Sequence, residues 1–284
     1  MQLQICDPGN GSSEVMMMFG FIGTGNMGGA LAKAAAKKVQ PEQLLLCNRT
    51  MEKAQALADT LGCKCASAAQ IAQNCSYIFL GVKPQMMADL LKELSPILAK
   101  RETPFVLVSM AAGLTMDTIR KMAGGNYGVI RIMPNTPVSV GSGVILYDAT
   151  ENVQPAVLDA FCQAMAEAGW LEPLPEKLMD AGSALAGCGP AYGCMFVEAL
   201  ADGAVACGLP RQQALKYAAQ MLLGTAKLVL ESQQHPGALK DAVCSPGGST
   251  IEGVKVLEEN GFRGGVMDAI AAAYKRTKEL GKTE

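Results

Sequence analysis

The sequence predicts an α/β protein: a doubly wound, mainly parallel sheet followed by an all-α domain. Three observations carry this. Short apolar runs alternate with helix-spaced stretches through the first half of the chain, as in a parallel sheet covered on both faces. The first of these runs opens directly into Gly23-Thr-Gly25-Asn-Met-Gly28 and a stretch of small helix formers. After "LEPLPEK" the strand pattern stops and only helical spacing continues.

The elements follow in order. Residues 15–23 read as a buried strand and 26–38 as a helix. Residues 43–48 form a second strand, 51–61 a helix ended by Gly62, 63–66 a short strand and 68–74 a short helix. "SYIFLG" is a strand, 84–98 a helix, 105–109 a strand and 115–122 a helix. Residues 128–133 and 142–147 are the last two strands, and 153–168 is a helix. Helices then cover 177–185, 190–207, 210–232, 250–259 and 263–280, broken at Gly187/Gly189, Gly208-Leu-Pro210, His235-Pro-Gly237 and Gly261. The division is residues 1–15 as a disordered extension, 16–175 as the sheet domain and 176–284 as the helical domain. "PAYGCMFVEALADGAVAC" carries only Glu198 and Asp202 as charges, on one face, and "ALKYAAQMLLGTAKLVL" is similar. So small a domain cannot bury two such helices alone, which predicts a subunit interface interleaving helices from two chains.

Composition bounds the partners. Half of the 284 residues are apolar, and 24 Lys and Arg face 26 Asp and Glu, a net charge of −2. That balance gives no basis for binding nucleic acid or anionic lipid. No apolar run is read as long enough to span a bilayer. Ten cysteines in a chain of this length, with no secretory pattern at the N-terminus, predict reduced thiols in the cytoplasm, most of them buried as small hydrophobes. Cys63-Lys-Cys65 is the only close pair and His235 the only histidine, so no metal site is expected.

The glycine turn has the context a dinucleotide-binding loop requires: strand before, helix after, and a candidate ribose reader twenty residues on. This is the Rossmann-type arrangement. Gly23 permits the tight turn, Gly25 lets backbone approach a pyrophosphate, and Gly28 lets helix and strand pack closely. Ile22, Thr24, Asn26 and Met27 complete the loop, whose N–H groups face the anion. At the end of the second strand stand Asn48, Arg49 and Thr50, with no Asp or Glu for a free 2′-hydroxyl. They suit a 2′-phosphate, which predicts NADPH over NADH. Gly81-Val82-Lys83-Pro84 and the stretch Ala111-Ala112-Gly113 fall at the same sheet edge and are read as cofactor-side loops. Downstream, Ser245-Pro-Gly-Gly248-Ser249-Thr250 precedes a helix. Its N–H groups and hydroxyls suit a carboxylate better than a plain helix cap does.

Together "FIGTGNMGGALA", "NRT", "GVKP", "SMAAG", "RIMPNTP", "GCGPAY", "EALADGAVACGLPR" and "SPGGSTIEGV" resemble the pyrroline-5-carboxylate reductases. The resemblance covers nearly the whole chain after about Met16. It implies an NAD(P)H-binding first domain and an intertwined homodimer through the helical domain, in some members a ring of dimers. It also implies reduction of L-1-pyrroline-5-carboxylate to L-proline. Gly248, Ser249 and Thr250 would hold the substrate carboxylate from the partner subunit, with Ser245 in the same loop. Thr250 would reach the ring nitrogen as the catalytic hydroxyl, Glu176 matches a substrate-side position, and Asn135 would lie near the nicotinamide. Ala186 and Cys188 stand where many relatives have serines, and Ala68 where some have an asparagine. Two other readings compete. A 3-hydroxyacid dehydrogenase of the hydroxyisobutyrate type needs a basic lysine with paired asparagines, a motif not found here. A non-catalytic NADPH-binding sensor would not need Ser245–Thr250 or Glu176.

Overall fold

The computed structural model describes residues 16–280, so the expectation for residues 1–15 lies outside them. Two compact units are present. One takes the described residues up to Gly187 together with 274–280; the other is Cys188–Ala273.

The first unit is built on one eight-stranded sheet. Its strands are β1 (Phe19–Ile22), β2 (Leu44–Cys47), β3 (Lys64–Cys65), β4 (Tyr77–Leu80), β5 (Val106–Ser109), β6 (Gly128–Pro134), β7 (Gly143–Ala149) and β8 (Gly169–Pro173), in the order β3-β2-β1-β4-β5-β6-β7-β8. The chain winds outward in both directions from β1, so the topological switch point lies between β1 and β4. β1, β4 and β5 are fully buried four-residue runs, as strands with helices on both faces must be.

Helices α1 (Asn26–Ala35), α2 (Met51–Leu61), α3 (Ala68–Asn74), α4 (Met87–Leu98), α5 (Met116–Ala123), α6 (Pro155–Met165) and α7 (Glu176–Gly182) complete this unit. One apolar cluster covers one face around Phe21, Phe79, Leu31 and Phe161; a second covers the other around Ile78, Leu80, Leu91 and Ile119. Phe21 stacks on Phe79 at 4.2 Å and Phe19 on Tyr77 at 4.7 Å, fastening β1 to β4 at the switch point.

Three features depart from the sequence reading. β7 runs antiparallel to β6, with Arg131 opposite Asp148, because the short connection between them leaves no room for a crossover helix. β8 is an extra strand, parallel to β7, with no alternation of burial to mark it. The break expected at Gly187/Gly189 is instead a π-turn, Ser183–Gly187, joining α7 to α8 (Gly189–Ala206). The run Glu176–Ala206 is thereby long and apolar enough to cross a membrane by length and composition, which the sequence reading did not register.

The second unit contains α8, α9 (Arg211–Ser232), α10 (Pro236–Val243), α11 (Ser249–Glu259) and most of α12 (Phe262–Leu280). α10 was not expected. Pro236 occupies its first turn and His235 caps it, the imidazole Nδ1 accepting from the Gly237 N–H at 3.0 Å. Only Ala201 of α8 and Ala214 and Ala218 of α9 are buried, while Met195, Tyr217, Leu223, Leu230 and Met267 are exposed. Cysteine burial is lower than expected. Among the nine described cysteines, all free, Cys75 is buried, while Cys194 and Cys207 on the uncovered helical faces are exposed.

The division by compactness falls one helix later than the composition change at residue 176. α7 packs on β7, where a Cβ on Gly182 would press on Leu146 and Leu174 of the sheet unit.

Candidate active site

The predicted cofactor loops meet at one edge of the sheet. Ile22 ends β1, Cys47 ends β2, Leu80 ends β4 and Ser109 ends β5, all pointing the same way in parallel register. Gly23, Asn48, Gly81 and Met110 therefore begin the loops along one rim.

The glycines are forced by that geometry. Gly23 has φ +98°, and a Cβ there would lie 2.6 Å from the Gly81 carbonyl. A Cβ on Gly28 or on Gly81 would collide with the carbonyl oxygen of Gly23. Gly25 differs: a Cβ there would meet nothing within 4 Å. Gly25 is also the N-cap of α1, with no side chain capping the helix and no acidic residue in its first turn. Open space thus faces uncapped N–H groups at the positive end of a helix dipole, which is what an anion requires. The buried Thr24 hydroxyl finds no hydrogen-bond partner among the described residues. An orphaned donor in a glycine cradle fits a dinucleotide's phosphates.

Asn48, Arg49 and Thr50 occupy the turn after β2. Arg49 is exposed, and Thr50 is the N-cap of α2 without using its hydroxyl as a cap. Asn48 reaches the Thr50 carbonyl at 3.4 Å, so the turn is preformed and the guanidinium is available. Across the switch point, Lys83 is exposed and Pro84 opens a short 3-10 turn. Ala111 is buried, its N–H donating to Ser109 Oγ at 3.4 Å. Gly113 has φ +78°, ending this loop with a turn that favours glycine.

Two predicted residues are engaged inside the protein. The buried Asn135 amide donates to the Ala186 carbonyl at 3.0 Å and accepts from the Val144 N–H at 2.9 Å. It locks the end of β6 to β7 and to the π-turn. Glu176 Oε1 accepts from the Met116 N–H at 2.7 Å and from Arg131 at 3.1 Å. Arg131, 3% exposed, also donates to Asp180 at 3.2 Å. Sequence reasoning gave Arg131 and Asp180 no role. The signal was present in "VIRIM": a charge inside a buried strand demands a partner.

The second unit carries the other predicted loop. Gly247 has φ +69°, and the Gly248 N–H donates to the Ser245 carbonyl at 3.0 Å. Gly248 is the N-cap of α11, with no side-chain cap, so Ser249 and Thr250 lie inside the first turn with their side chains exposed. The plain reading of Ser249 or Thr250 as the cap is not realised. A Cβ on Gly248 would press on Ser245 Oγ, so a larger residue there requires the serine side chain to turn away.

A 3-2-1-4 parallel sheet with its glycine turn at the switch point, on a chain continuing into a helical unit, defines a two-domain dinucleotide-dependent oxidoreductase. Comparison with known proteins narrows the class. Residues 176–280 match the family model for pyrroline-5-carboxylate reductase dimerisation, and residues 18–113 match that for coenzyme F420-dependent NADP oxidoreductases. The chain is 41% identical to pyrroline-5-carboxylate reductase of Escherichia coli, covering 93% of this chain and 98% of that one. It is 40% identical to the Synechocystis enzyme of that name over 94% and 99%. The crystal structure of Plasmodium falciparum pyrroline carboxylate reductase with NADP bound superposes with a TM-score of 0.85 at 31% identity, over 94% of this chain and 99% of that one. The chain belongs to the pyrroline-5-carboxylate reductase family.

Proposed function

We infer that this protein reduces L-1-pyrroline-5-carboxylate to L-proline with NADPH, the last step of proline biosynthesis, NADH serving less well. The observation that carries the reading is the pair of uncapped, glycine-shaped helix N-termini, one at Gly25 and one at Gly248. Two anionic groups need such sites: the cofactor's pyrophosphate and the substrate's carboxylate.

Bound NADPH supplies the hydride that the cyclic C=N carbon accepts. The residues of the chain do the rest. Gly23–Gly28 hold the pyrophosphate, and Thr24 offers its orphaned hydroxyl. Arg49 and Thr50 hold the 2′-phosphate. Gly81–Pro84 and Ala111–Gly113 border the ribose and nicotinamide, and Asn135 fixes the end of β6. Ser245, Gly248, Ser249 and Thr250, from the partner subunit as in the family, receive the carboxylate. The Thr250 hydroxyl hydrogen-bonds the ring nitrogen. A protonated imine is already electrophilic, so holding the reacting atoms about 3–3.5 Å apart suffices and no strong general acid is required.

The family model names dimerisation over 176–280, and the exposed apolar faces of α8, α9 and α12 are what such an interface would cover. We place the protein in the cytoplasm as a homodimer or a ring of dimers, not in a membrane, with those apolar faces turned to the partner chain.

The test is NADPH oxidation in the presence of pyrroline-5-carboxylate, with NADH in parallel. Turnover should be faster with low NADPH than with equally low NADH. NADPH binding without turnover would favour the sensor. Oxidation of a 3-hydroxyacid with no imine reduction would favour the dehydrogenase.

A further inference from the structure

We propose that Glu176 and Arg131 are positioning residues that set the loop between Ser109 and Met116, on the cofactor side of the sheet edge. The inference rests on the function proposed above and replaces the substrate-side position that the family resemblance implies for Glu176. A ligand carboxylate would be free; this one is built into the scaffold.

The geometry connects the loop to α7 in two ways. The Glu176 carboxylate accepts from the Met116 N–H, the first N–H of α5, at 2.7 Å. It thus stabilises that helix terminus and pins the downstream end of the loop. Ala112, inside the loop, packs on the cluster of Met133, Leu146 and Met179, and Met179 is fully buried on α7. Backbone and side chain of the loop are therefore both fastened to one helix.

Arg131 decides where that carboxylate points. It sits on β6 opposite both Ser109 of β5, where the loop begins, and Asp148 of β7. Its guanidinium bridges Glu176 and Asp180, one helical turn apart on α7. The Glu176 N–H donates to Asp148 at 2.6 Å, so main chain and head group are held separately. Two carboxylates, Glu176 and Asp180, pair with this buried guanidinium. Without it, Asp180 would repel Glu176 from the α5 terminus. Asp180 shares the guanidinium, yet it hydrogen-bonds Arg131 and leaves the α5 N–H to Glu176.

That difference supplies the test. E176A, E176Q and D180N would be compared with wild type for NADPH affinity by fluorescence, KM for each substrate, and melting temperature. E176A should weaken NADPH binding and raise its KM about tenfold, short of the roughly hundredfold that a misplacement of about 1 Å can cost. D180N should stay within about twofold for NADPH despite a similar loss of melting temperature. E176Q, which still accepts from the Met116 N–H, should recover most of the affinity and keeps the comparison decisive if E176A fails to fold. The idea is overturned if E176A raises only the KM for pyrroline-5-carboxylate, since Glu176 would then be a substrate ligand. It is equally overturned if all variants lose NADPH affinity in step with melting temperature. Wild-type protein that binds NADPH but does not reduce the imine would sink the proposed function alone, and the NADPH affinities would still decide the present inference.

Discussion

Gly28 packs against the carbonyl oxygen of Gly23 so closely that a methyl group at position 28 would lie 2.1 Å from that oxygen. Gly25, midway between them in the chain, has open space where its methyl group would go. The two glycines are therefore required for different reasons. Gly28→Ala should lower stability by about 1–3 kcal/mol through overpacking, as well as weakening NADPH binding. Gly25→Ala should melt as wild type, because its backbone is not left-handed and nothing is displaced. It should nevertheless bind NADPH about tenfold or more weakly, through lost hydrogen bonds to a charged group. Thermal melts beside fluorescence titrations check both, and equal stability losses in the two variants would contradict the argument.

Arg49 is exposed at the end of β2, where a 2′-phosphate would lie. Arg49→Ala should raise the KM for NADPH about tenfold, the worth of a charge-assisted hydrogen bond at a surface. The KM for NADH should move little. Because the contact is exposed, the wild-type preference should also shrink as salt is added. A variant that loses both cofactors equally would place Arg49 in the fold of the turn, not in recognition.

How much of this was legible follows from which physical signals are local. The glycine turn was readable because steric collisions among Gly23, Gly28 and Gly81 leave a mark in residue type. So were β1, β4 and β5, whose burial on both faces demands continuous apolar runs. β8 was not, since Gly169–Pro173 is a half-exposed strand carrying an exposed Trp170 and needs β7 to define it. α10 was hidden because His-Pro-Gly reads as a break, although proline suits a first helical turn. At the site, loop positions were legible and side-chain partners were not. Asn135 and Glu176 could be singled out, but their bonds to Ala186, Val144, Met116 and Arg131 join residues distant in sequence.

Thr250 lies exposed in the first turn of α11 without capping it, and the proposed function gives its hydroxyl to the substrate. Thr250→Ala should lower kcat by about 10- to 100-fold, the range spanned by a lost hydrogen bond to a charged group. NADPH affinity should be unchanged, because the glycine loop lies in the other compact unit. Thr250→Ser should retain most activity. A Thr250→Ala enzyme with undiminished kcat would remove the residue from the chemistry.

Cys75 makes an alkaline prediction. Burial pushes its thiol up to about 12 from the ordinary 9.0, with Arg101 pulling weakly the other way. The folded chain therefore keeps a proton that the unfolded chain releases above about pH 9. Stability should be insensitive to this group below that pH and fall as pH rises towards the folded value. The slope is about 1.4 kcal/mol per pH unit, on the order of 4 kcal/mol across the interval. Cys75→Ala leaves a small cavity and should be less stable at neutral pH, yet its stability should decline less steeply between pH 9 and 11. Urea midpoints measured across that range give the slopes; parallel curves for the two proteins would refute the linkage.

One chain alone leaves the apolar faces of the helical unit uncovered. Leu230 is 68% exposed and Met267 71%, on helices whose buried residues are few and small. Exposed apolar surface of this extent marks an interface, and the family model over these residues describes dimerisation. Leu230→Glu and Met267→Glu each place a carboxylate where the partner would desolvate it, costing several kcal/mol unless it is paired. Size-exclusion chromatography with light scattering should show the wild type as a dimer or larger and the variants shifted to monomer. Turnover should fall with the dimer, since the Ser245–Thr250 loop is assigned to the partner subunit. NADPH binding should persist, because the glycine turn, Arg49 and the Ala111–Gly113 loop all belong to the sheet unit. A monomeric variant with full turnover would show that each chain uses its own Ser245–Thr250 loop.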